Sequence, residues 1–503
     1  MARFFREPDR RQRYLLPVDM MDWLPEGDIV HLIVDAVALM DLSGFEATCK
    51  VGKAGQAPFS PRVLLALLIY AYSHGIRSSR AIERLCGRDV GYRFIVGAAV
   101  PDHSVIARFR QRHVERMKAV FLAVLELCRA AGLIRLGLVA LDGTKVKANA
   151  ALDANRTASS IEAEIARMLA EAEAVDARED RQFQDQRGDG LPEGLTKAAD
   201  RQARLMACKA KLEKRAAEAV ARQQARIDAR RVEEQATGKR RRGRKPKAPD
   251  PTVDPDAVAN VTDPESGIMK TRQGWVQGYN AQIVVTRDQI ILAADVSTEA
   301  NDSHQLTGML NQAQANVEIV LGEDAVLGVA VADAGYWSDA NAATETEECE
   351  LLIATQKDHK QRAALREAPP PRGRMPKRMT ARARMERKLR TRRGRSLYRQ
   401  RGQSVEPVFG QMKDRQGAGR FSMRGTDRCR GEWQLDAAVH NLRKLHRDSV
   451  QHAKASRRGA QTSRKAAAGG DLTPPSLPCR AAHAAPRTDP LSIQQQAPHT
   501  GLT

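Results

Sequence analysis

Three acidic residues, each next to an apolar or helical stretch, are the strongest chemical signal in the chain. Asp142 follows the apolar run LGLVAL, Asp333 follows VLGVAVA, and Glu406 lies within YRQRGQSVEPVFGQMK. Two strands that each run into an aspartate, with a later helix that offers a glutamate, can hold divalent cations between the three carboxylates. The arrangement predicts metal-assisted chemistry on a phosphodiester.

Each of these acids also has an ordinary explanation when it is taken alone. Asp142 is followed by Gly and Asp333 by Ala-Gly, so a turn explains both, and Glu406 fits an acid that complements a helix dipole. Their joint order favours a site instead. If the first and fourth strands are neighbours, their ends lie side by side and the helix lies across that edge of the sheet.

The charge of the chain indicates a polyanionic partner. Its 503 residues carry a formal net charge of +21, and 42% of them are hydrophobic. Contacts between a cationic protein and phosphates release counterions, which favours nucleic acid as the partner. The hydrophobic content is sufficient for a sizeable core in several domains.

The cysteines and the apolar runs indicate the cellular compartment in which we expect the protein. The seven cysteines form no CxxC pair, which argues against a zinc ribbon or a disulfide framework. No apolar run approaches the roughly 18 residues of a membrane-spanning helix, and the start MARFFREPDRRQRYLLP is charged where a secretory signal is apolar. We expect a cytoplasmic protein with no membrane partner.

The hydrophobic period changes several times along the chain. Apolar residues recur at helical spacing from 32 to 135, with helix N-caps expected within Ser78–Ser79 and within Asp102–Ser104. Ala-, Glu- and Arg-rich sequence then predicts two long helices that pair as a hairpin. The predicted regions are an N-terminal arm (1–31), a helical DNA-binding domain (32–135), a catalytic domain (136–150 and 275–450), the helical hairpin insertion (151–236), a basic linker with the entry to the second strand (237–274) and a disordered tail (451–503).

Strand-like runs after residue 136 alternate with helices, which is the pattern of an α/β fold. The first strand, 136–146, is separated by the insertion from a predicted hairpin of Tyr279–Thr286 and Gln289–Ser297. Two further strands, Val326–Asp333 and Glu350–Thr355, are each preceded by a helix. The order predicts one mixed five-stranded sheet flanked by helices.

Two segments are basic enough to suggest contact with DNA. Between 351 and 400, Lys and Arg far outnumber Asp and Glu, so we expect this segment to be either disordered or laid on phosphates. In the linker, Arg242-Gly243-Arg244 resembles the core of an AT-hook interrupted by Lys245. Arg242 and Arg244 are therefore candidate contacts to an A·T-rich minor groove, with a flexible cationic linker as the alternative.

Five blocks, in order along the chain, resemble the DDE transposases of bacterial insertion sequences. PFSPRVLLALLIYAYSHGIRSSRAIERLC with PDHSVIARFRQRH is similar to the helical N-terminal domain of that family, and TDPESGIMKTRQGWVQGYNAQIVV is similar to its second block. LDGTKVKANA, VADAGYWSDAN and YRQRGQSVEPVFGQMKDRQGAGRFSMRG contain the three acids. The resemblance spans residues 59–445 and implies a ribonuclease H-like catalytic domain behind an all-α N-terminal domain.

The resemblance implies a specific chemistry and specific partners. Asp142, Asp333 and Glu406 become catalytic ligands of Mg²⁺ or Mn²⁺, with two ions, and the reaction becomes cleavage of element ends followed by strand transfer. The implied partners are double-stranded DNA with terminal inverted repeats, target DNA and a second copy of the chain, as a homodimer on paired ends near the bacterial nucleoid. The residues alone support only metal-assisted phosphoryl transfer.

The resemblance also assigns a role in DNA binding to Tyr398, Arg401 and Lys413. The two basic side chains would hold phosphates beside the metals, and Tyr398 would stack or hydrogen-bond near the cleaved end. Four residues separate Arg401 from Glu406, whereas the family pattern has three, so Arg399 is an alternative. The other interpretation of all these residues is a solvated helix face.

Other acids and other functions remain open at this level. Asp295, near the end of its predicted strand, is the best competitor to the three acids, whereas Asp302 and His304 are interpreted as a cap at the start of a helix. Two functions compete with transposition. One is a ribonuclease H-like nuclease that cuts without joining, and the other is a catalytically inactive, DNA-binding derivative of a transposase.

Overall fold

The computed structural model describes residues 20–48, 58–183, 193–271, 273–376 and 378–468. Most of the predicted N-terminal arm and the end of the predicted tail, residues 1–19 and 469–503, lie outside these ranges. Within them, no helix is both long enough and apolar enough to cross a membrane.

Residues 29–48 and 58–130 form a helical bundle, and most of its helices begin at side-chain caps. Ser60, Ser78, Asp89 and Asp102 each accept a hydrogen bond from a backbone amide in the first turn of the following helix. These bonds satisfy donors that a helix leaves open at its N-terminus, and two of them are the predicted caps. The helices are α1 (Ile29–Leu39), α2 (Ser43–Glu46), α3 (Pro61–Ser73), α4 (Ser79–Cys86), α5 (Val90–Val96), α6 (His103–Arg112) and α7 (Met117–Ala130).

A mixed sheet forms the centre of the remaining structure. The strands are β1 (Gly137–Lys147), β2 (Asn155–Thr157), β3 (Val258–Asn260), β4 (Gly267–Thr271), β5 (Gly274–Thr286), β6 (Ile291–Ser297), β7 (Gly328–Ala332) and β8 (Cys349–Ile353). β1 pairs antiparallel with β5 and parallel with β7, β5 pairs antiparallel with β6, and β7 pairs parallel with β8. The prediction of a mixed sheet in an α/β fold is confirmed, and the first and fourth predicted strands are neighbours.

The sheet has six strands, one more than the sequence predicts. Residues 267–271 were assigned to the linker, but they form β4, which pairs antiparallel with the first half of β5. β5 accordingly begins at Gly274 rather than at Tyr279. Only Met269 of β4 is buried, so this strand lacks the apolar alternation by which a sequence pattern reveals a strand.

Two long helices occupy the region of the insertion. They are α8 (Ala158–Phe183) and α9 (Glu193–Thr237), and a small apolar cluster that includes Ile161 and Leu205 packs them together. β2 pairs antiparallel with β3. The chain therefore enters and leaves the insertion through one two-stranded ribbon.

The charge-dense segment after β8 is largely helical in its described residues, so the prediction of disorder is wrong there, whereas contact with phosphates stays a prediction. Met385 and Leu389 are buried, and Lys388 forms an ion pair with Glu345 outside the segment. A few apolar contacts and ion pairs thus order this segment.

The final helix also makes 451–468 helical, where the sequence predicts a disordered tail. The elements are α10 (Leu306–Leu321), α11 (Asp339–Ala343), α12 (Asp358–Glu367), α13 (Ala381–Arg390), α14 (Arg392–Ser404), α15 (Glu406–Gly410), a π-helical turn (Gln411–Arg415) and α16 (Thr426–Ala468).

One hydrophobic core connects the helical bundle to the sheet. Buried polar contacts reinforce this connection. Arg77, just before α4, donates to Glu432 and Asp436 of α16 over 3.0 and 2.5 Å, and the Tyr72 hydroxyl also donates to Glu432. Burial raises the pKa of Asp436 to about 7, although Arg77 opposes the shift. The bundle and the sheet therefore pack together as one compact unit.

Candidate active site

Asp142 and Asp333 lie side by side on neighbouring parallel strands. The last pair in the ladder between β1 and β7 is Leu141 with Ala332, and each aspartate is the next residue in its chain. Asp333 ends β7 and caps a short 3-10 turn, because its carboxylate accepts a hydrogen bond from the Gly335 amide over 2.9 Å. Asp142 does not end its strand, as the sequence interpretation had it, since β1 continues to Lys147.

The electrostatics of Asp142 are those of a buried acid beside another acid. Burial, with a further contribution from Asp333, raises the pKa of Asp142 to about 6. Arg401 and the Gly143 amide act in the opposite direction, and Gly143 N donates to Asp142 Oδ1 over 2.8 Å. The protein therefore holds this carboxyl group where an added positive charge would strongly favour its ionised form.

α14 brings Arg401 to the aspartates. Arg401 Nη1 lies 2.9 Å from Asp142 Oδ2, and the arginine is only 5% exposed. Tyr398, one turn earlier, is buried as well, whereas Arg399 is exposed. Of the two arginines left open by the sequence pattern, Arg401 is the one that contacts the site.

Glu406 follows Arg401 in the chain and has a largely exposed side chain. It is the first residue of α15, its side chain is 58% exposed, and its carboxylate lies 3.6 Å from Arg362 Nη2. Its Oε1 also lies 3.3 Å from the position that a Cβ on Gly402 would take, directly after Arg401. Within the described residues, Asp142, Asp333 and Glu406 do not bring their oxygens within 4.8 Å of one another.

Lys413 fixes the far half of β1. It lies in the π-helical turn, a feature that is frequent at functional sites. Its Nζ donates to Thr144 Oγ1 over 2.5 Å and to the Lys145 carbonyl over 3.3 Å. Burial lowers the pKa of Lys413.

Asp302 lies at the site although the sequence interpretation makes it a helix cap. Its Oδ1 accepts hydrogen bonds from Asn280 Nδ2 and Gln282 Nε2 over 2.6 and 2.9 Å, and Lys145 Nζ lies 3.3 Å away. Asp302 belongs to a loop, and no motif or periodic spacing joins it to the three acids. The signal that could have revealed it is the polar pair of Asn280 and Gln282 on an otherwise apolar strand.

Asp295, the favoured competitor by sequence, belongs to a different surface. It lies 2.5 Å from Arg430 Nε and lines a groove of about 820 Å³ that also includes Lys211 and Arg215 of the insertion. His304 pairs with Glu299 at 2.7 Å. Asp295 and His304 therefore have ion-pair partners of their own, and neither is assigned to the aspartate pair.

Arg242 and Arg244 lie away from the carboxylates, on the linker that returns along α9. Both side chains are exposed. Arg230 of α9 donates to the backbone carbonyls of Arg241 and Arg244 over 2.7 and 3.0 Å. These hydrogen bonds hold the linker against α9. The side chains of Arg242 and Arg244, the two candidate DNA contacts, are exposed on this bound part of the linker.

The donor set at the aspartate pair fits a hard divalent cation. Carboxylate oxygens are the ligands that Mg²⁺ and Mn²⁺ prefer, and Asp142 and Asp333 present theirs from adjacent positions. The described residues contain one group of three close ligand atoms, Glu83, Asp102 and His103 in the helical bundle. Asp102 already caps α6 there, and nothing else marks that surface as a site.

Two family models match the chain. Residues 18–112 match the family described as Transposase domain (DUF772), and residues 347–446 match the family described as Transposase DDE domain. The second match includes Glu406, Arg401 and Lys413, whereas Asp142 and Asp333 lie between the two matched segments. No curated protein and no solved structure matches the chain.

Proposed function

The chain is a DNA transposase of the DDE class by its two matched domains, and we propose that Asp142, Asp333 and Glu406 are its catalytic, metal-binding carboxylates. The observation that supports this assignment is the register of β1 and β7, which makes Asp142 and Asp333 neighbours. α14, inside the segment matched by the DDE domain, carries Arg401 to Asp142, and Glu406 begins α15, the next helix in the chain.

The proposed catalytic domain has the ribonuclease H-like fold. Its main strands follow the order β6, β5, β1, β7, β8, in which the first three are antiparallel and the last three are parallel. The two aspartates then belong to the central strand and its parallel neighbour. β4, the insertion and the cationic helices α13 and α14 are additions to that sheet.

We assign two divalent ions, Mg²⁺ or Mn²⁺, to the carboxylates. Bound there, they would supply an activated oxygen nucleophile and stabilise the charge on the leaving oxygen. Asp142 and Asp333 would hold the cations from the sheet, and Glu406 would complete the set from α15. Arg401, which contacts Asp142 in this structure, would hold a DNA phosphate beside them.

The substrate is double-stranded DNA, and the two chemical steps are hydrolysis at an element end and transesterification into target DNA. We propose that the ends carry inverted repeats and that two copies of the chain act on a paired set of ends. Lys413 holds β1 through Thr144 and Lys145, so in this arrangement it positions the strand that bears Asp142. The net charge of +21 supplies the sequence-independent part of DNA affinity.

The test is cleavage and joining of end DNA with Mg²⁺ by the full chain. Asp142→Ala, Asp333→Ala and Glu406→Ala are each expected to abolish cleavage while DNA binding persists, and Asp295→Ala serves as the control acid on the other surface. Pre-nicked ends should be joined to target DNA by the wild type. Cleavage without joining would indicate a nuclease. Unchanged behaviour in all three variants would indicate a DNA-binding derivative.

A further inference from the structure

Two glycines beside the catalytic aspartates make room for Asp302. A Cβ on Gly143 would lie 2.8 Å from Asp302 Oδ1, and a Cβ on Gly335 would lie 3.4 Å from Asp302 Oδ2. Gly143 follows Asp142 directly, and Gly335 donates its amide to Asp333. One carboxylate thus lies beside the residues that follow both proposed catalytic aspartates, and a Cβ at Gly143 would displace it, whereas a Cβ at Gly335 would only touch it.

The hydrogen bonds of Asp302 fix the orientation of a neighbouring amide. An ionised carboxylate only accepts hydrogen bonds, so Gln282 must present its NH₂ group to Asp302 Oδ1, which it does over 2.9 Å. The carbonyl oxygen of Gln282 is then left to accept a hydrogen bond from the Tyr336 hydroxyl. Lys145 compensates the charge of Asp302 at 3.3 Å.

Tyr336 connects this amide to the second catalytic aspartate. It ends the 3-10 turn that Asp333 caps, and its backbone amide donates to the Asp333 carbonyl over 3.2 Å. Its ring is fully buried. The orientation of Gln282 therefore determines whether the turn that carries Asp333 is anchored to the sheet.

We propose that Asp302 is a positioning residue, which holds the turn of Asp333 in register with Asp142 through Gln282 and Tyr336. This inference rests on the proposed function, because it concerns the geometry of the same metal-binding pair. Loss of such outer partners of metal ligands costs about 10- to 100-fold in metal affinity. Asp302→Asn preserves size but removes the charge and lets the amide of Gln282 turn over.

The experiment measures Mn²⁺ binding to the full chain without DNA, by electron paramagnetic resonance of the free ion. Asp302→Asn is expected to bind Mn²⁺ about 10- to 100-fold more weakly than the wild type, and its cleavage activity should recover as Mn²⁺ is raised. The matched control is Asp295→Asn, which alters an aspartate paired with Arg430 on the other surface and should leave Mn²⁺ affinity unchanged. A folded Asp302→Asn variant with wild-type Mn²⁺ affinity would overturn the inference.

Two further variants separate the possible failures. Asp142→Ala should lose Mn²⁺ binding; if it does not, the proposed function itself fails. If Asp142→Ala loses Mn²⁺ binding and Asp302→Asn keeps it, only the role of Asp302 fails. Tyr336→Phe removes the same chain of hydrogen bonds without changing charge, so weaker Mn²⁺ binding supports the inference and wild-type affinity contradicts it, even if Asp302→Asn does not fold.

Discussion

Arg401 Nη1 lies 2.9 Å from Asp142 Oδ2, and the guanidinium is almost wholly buried. A cation of the protein itself therefore occupies one side of a carboxylate that is proposed to bind metal. The pair stabilises the ionised form of Asp142 against burial and against Asp333. It also places the arginine in competition with a divalent ion for the same oxygen.

The first prediction concerns this competition. Arg401→Gln removes a positive charge and a charge-assisted hydrogen bond from Asp142, so Mn²⁺ should bind more tightly without DNA. A hydrogen bond between charged groups, worth about 1.5 kcal/mol, corresponds to roughly tenfold in affinity. Cleavage of end DNA should nevertheless fall, because the variant lacks a phosphate ligand. Mn²⁺ titration and a cleavage assay check the two effects separately.

Arg399→Gln is the matched control for that prediction. Arg399 belongs to the same helix and carries the same charge, but its side chain is exposed, so neither Mn²⁺ affinity nor the cleavage rate should change appreciably. Equal effects of the two substitutions would show that net charge, and not the contact with Asp142, is responsible.

The second prediction concerns the contact between the helical bundle and α16. Arg77→Ala leaves Asp436 and Glu432 buried without their cation. Breaking a buried ion pair from one side destabilises by about 3 to 5 kcal/mol. Urea unfolding at neutral pH measures the loss. Arg80→Ala, on an exposed neighbour, should change the free energy of unfolding little; a comparable loss there would contradict the explanation.

The third prediction concerns acid stability. Burial lowers the pKa of His440 from 6.5 to about 4, and its Nε2 hydrogen-bonds the Gln289 carbonyl. Between these two pH values His440 is protonated in the unfolded chain but neutral in the folded chain. The free energy of unfolding therefore decreases as pH falls from 6.5 towards 4. At pH 5 the loss relative to pH 7 is about 2 kcal/mol.

His440→Gln should remove that loss while keeping a hydrogen-bond donor for the Gln289 carbonyl. Asp436, whose pKa is raised to about 7, gives an opposite dependence in the same range, so the quantity to compare is the difference between variant and wild type at pH 5 and pH 7. His359→Gln, on an exposed histidine, should show no such difference between the two pH values. If the free energy of unfolding changed equally between pH 7 and pH 5 in the wild type and in His440→Gln, His440 would not be the source of the acid sensitivity.

The fourth prediction concerns the cationic segment. Arg372, Arg374 and Arg378 are exposed, whereas Arg393 is paired with Glu350. Replacing the three exposed arginines by Gln should weaken DNA binding for every sequence and lower the salt slope by up to roughly 0.9 for each phosphate that is no longer neutralised. Fluorescence anisotropy across a salt series measures both. Arg393→Gln should change the slope less, and an unchanged slope in the triple variant would exclude contact with DNA there.

The main strands and their order along the chain could be predicted because apolar runs of strand length stand out from their surroundings. The runs before Asp142 and Asp333 are of this kind, whereas their adjacency was a condition of the site that the register of β1 and β7 meets. β4 could not be found in this way, since Met269 is its one buried residue. In α13 the apolar signal consists of Met385 and Leu389 among arginines, too little to distinguish a packed helix from a solvated segment.

The candidate site was only partly accessible from the sequence. Asp302 meets the aspartates through contacts with Asn280, Gln282 and Lys145, which are more than 15 positions away along the chain, and no local pattern records such contacts. The burial of Arg401 and the contact of Lys413 with β1 depend in the same way on packing. The sequence could predict the residue types that carry the chemistry, but not the contacts that hold those residues in place.

The narrow ribbon of β2 and β3 has an implication for how such chains diversify. Because the polypeptide departs and returns at adjoining points, Asn155 facing Asn260, the length of the insertion beyond Thr157 does not set the distance between the strands that carry Asp142 and Asp333. The insertion of α8 and α9 is in that sense an addition to the catalytic domain. Relatives with a longer, shorter or absent insertion would be expected to share the same chemistry. A fluorescent protein inserted after Thr157 would be expected to label the protein while the catalytic domain stays folded.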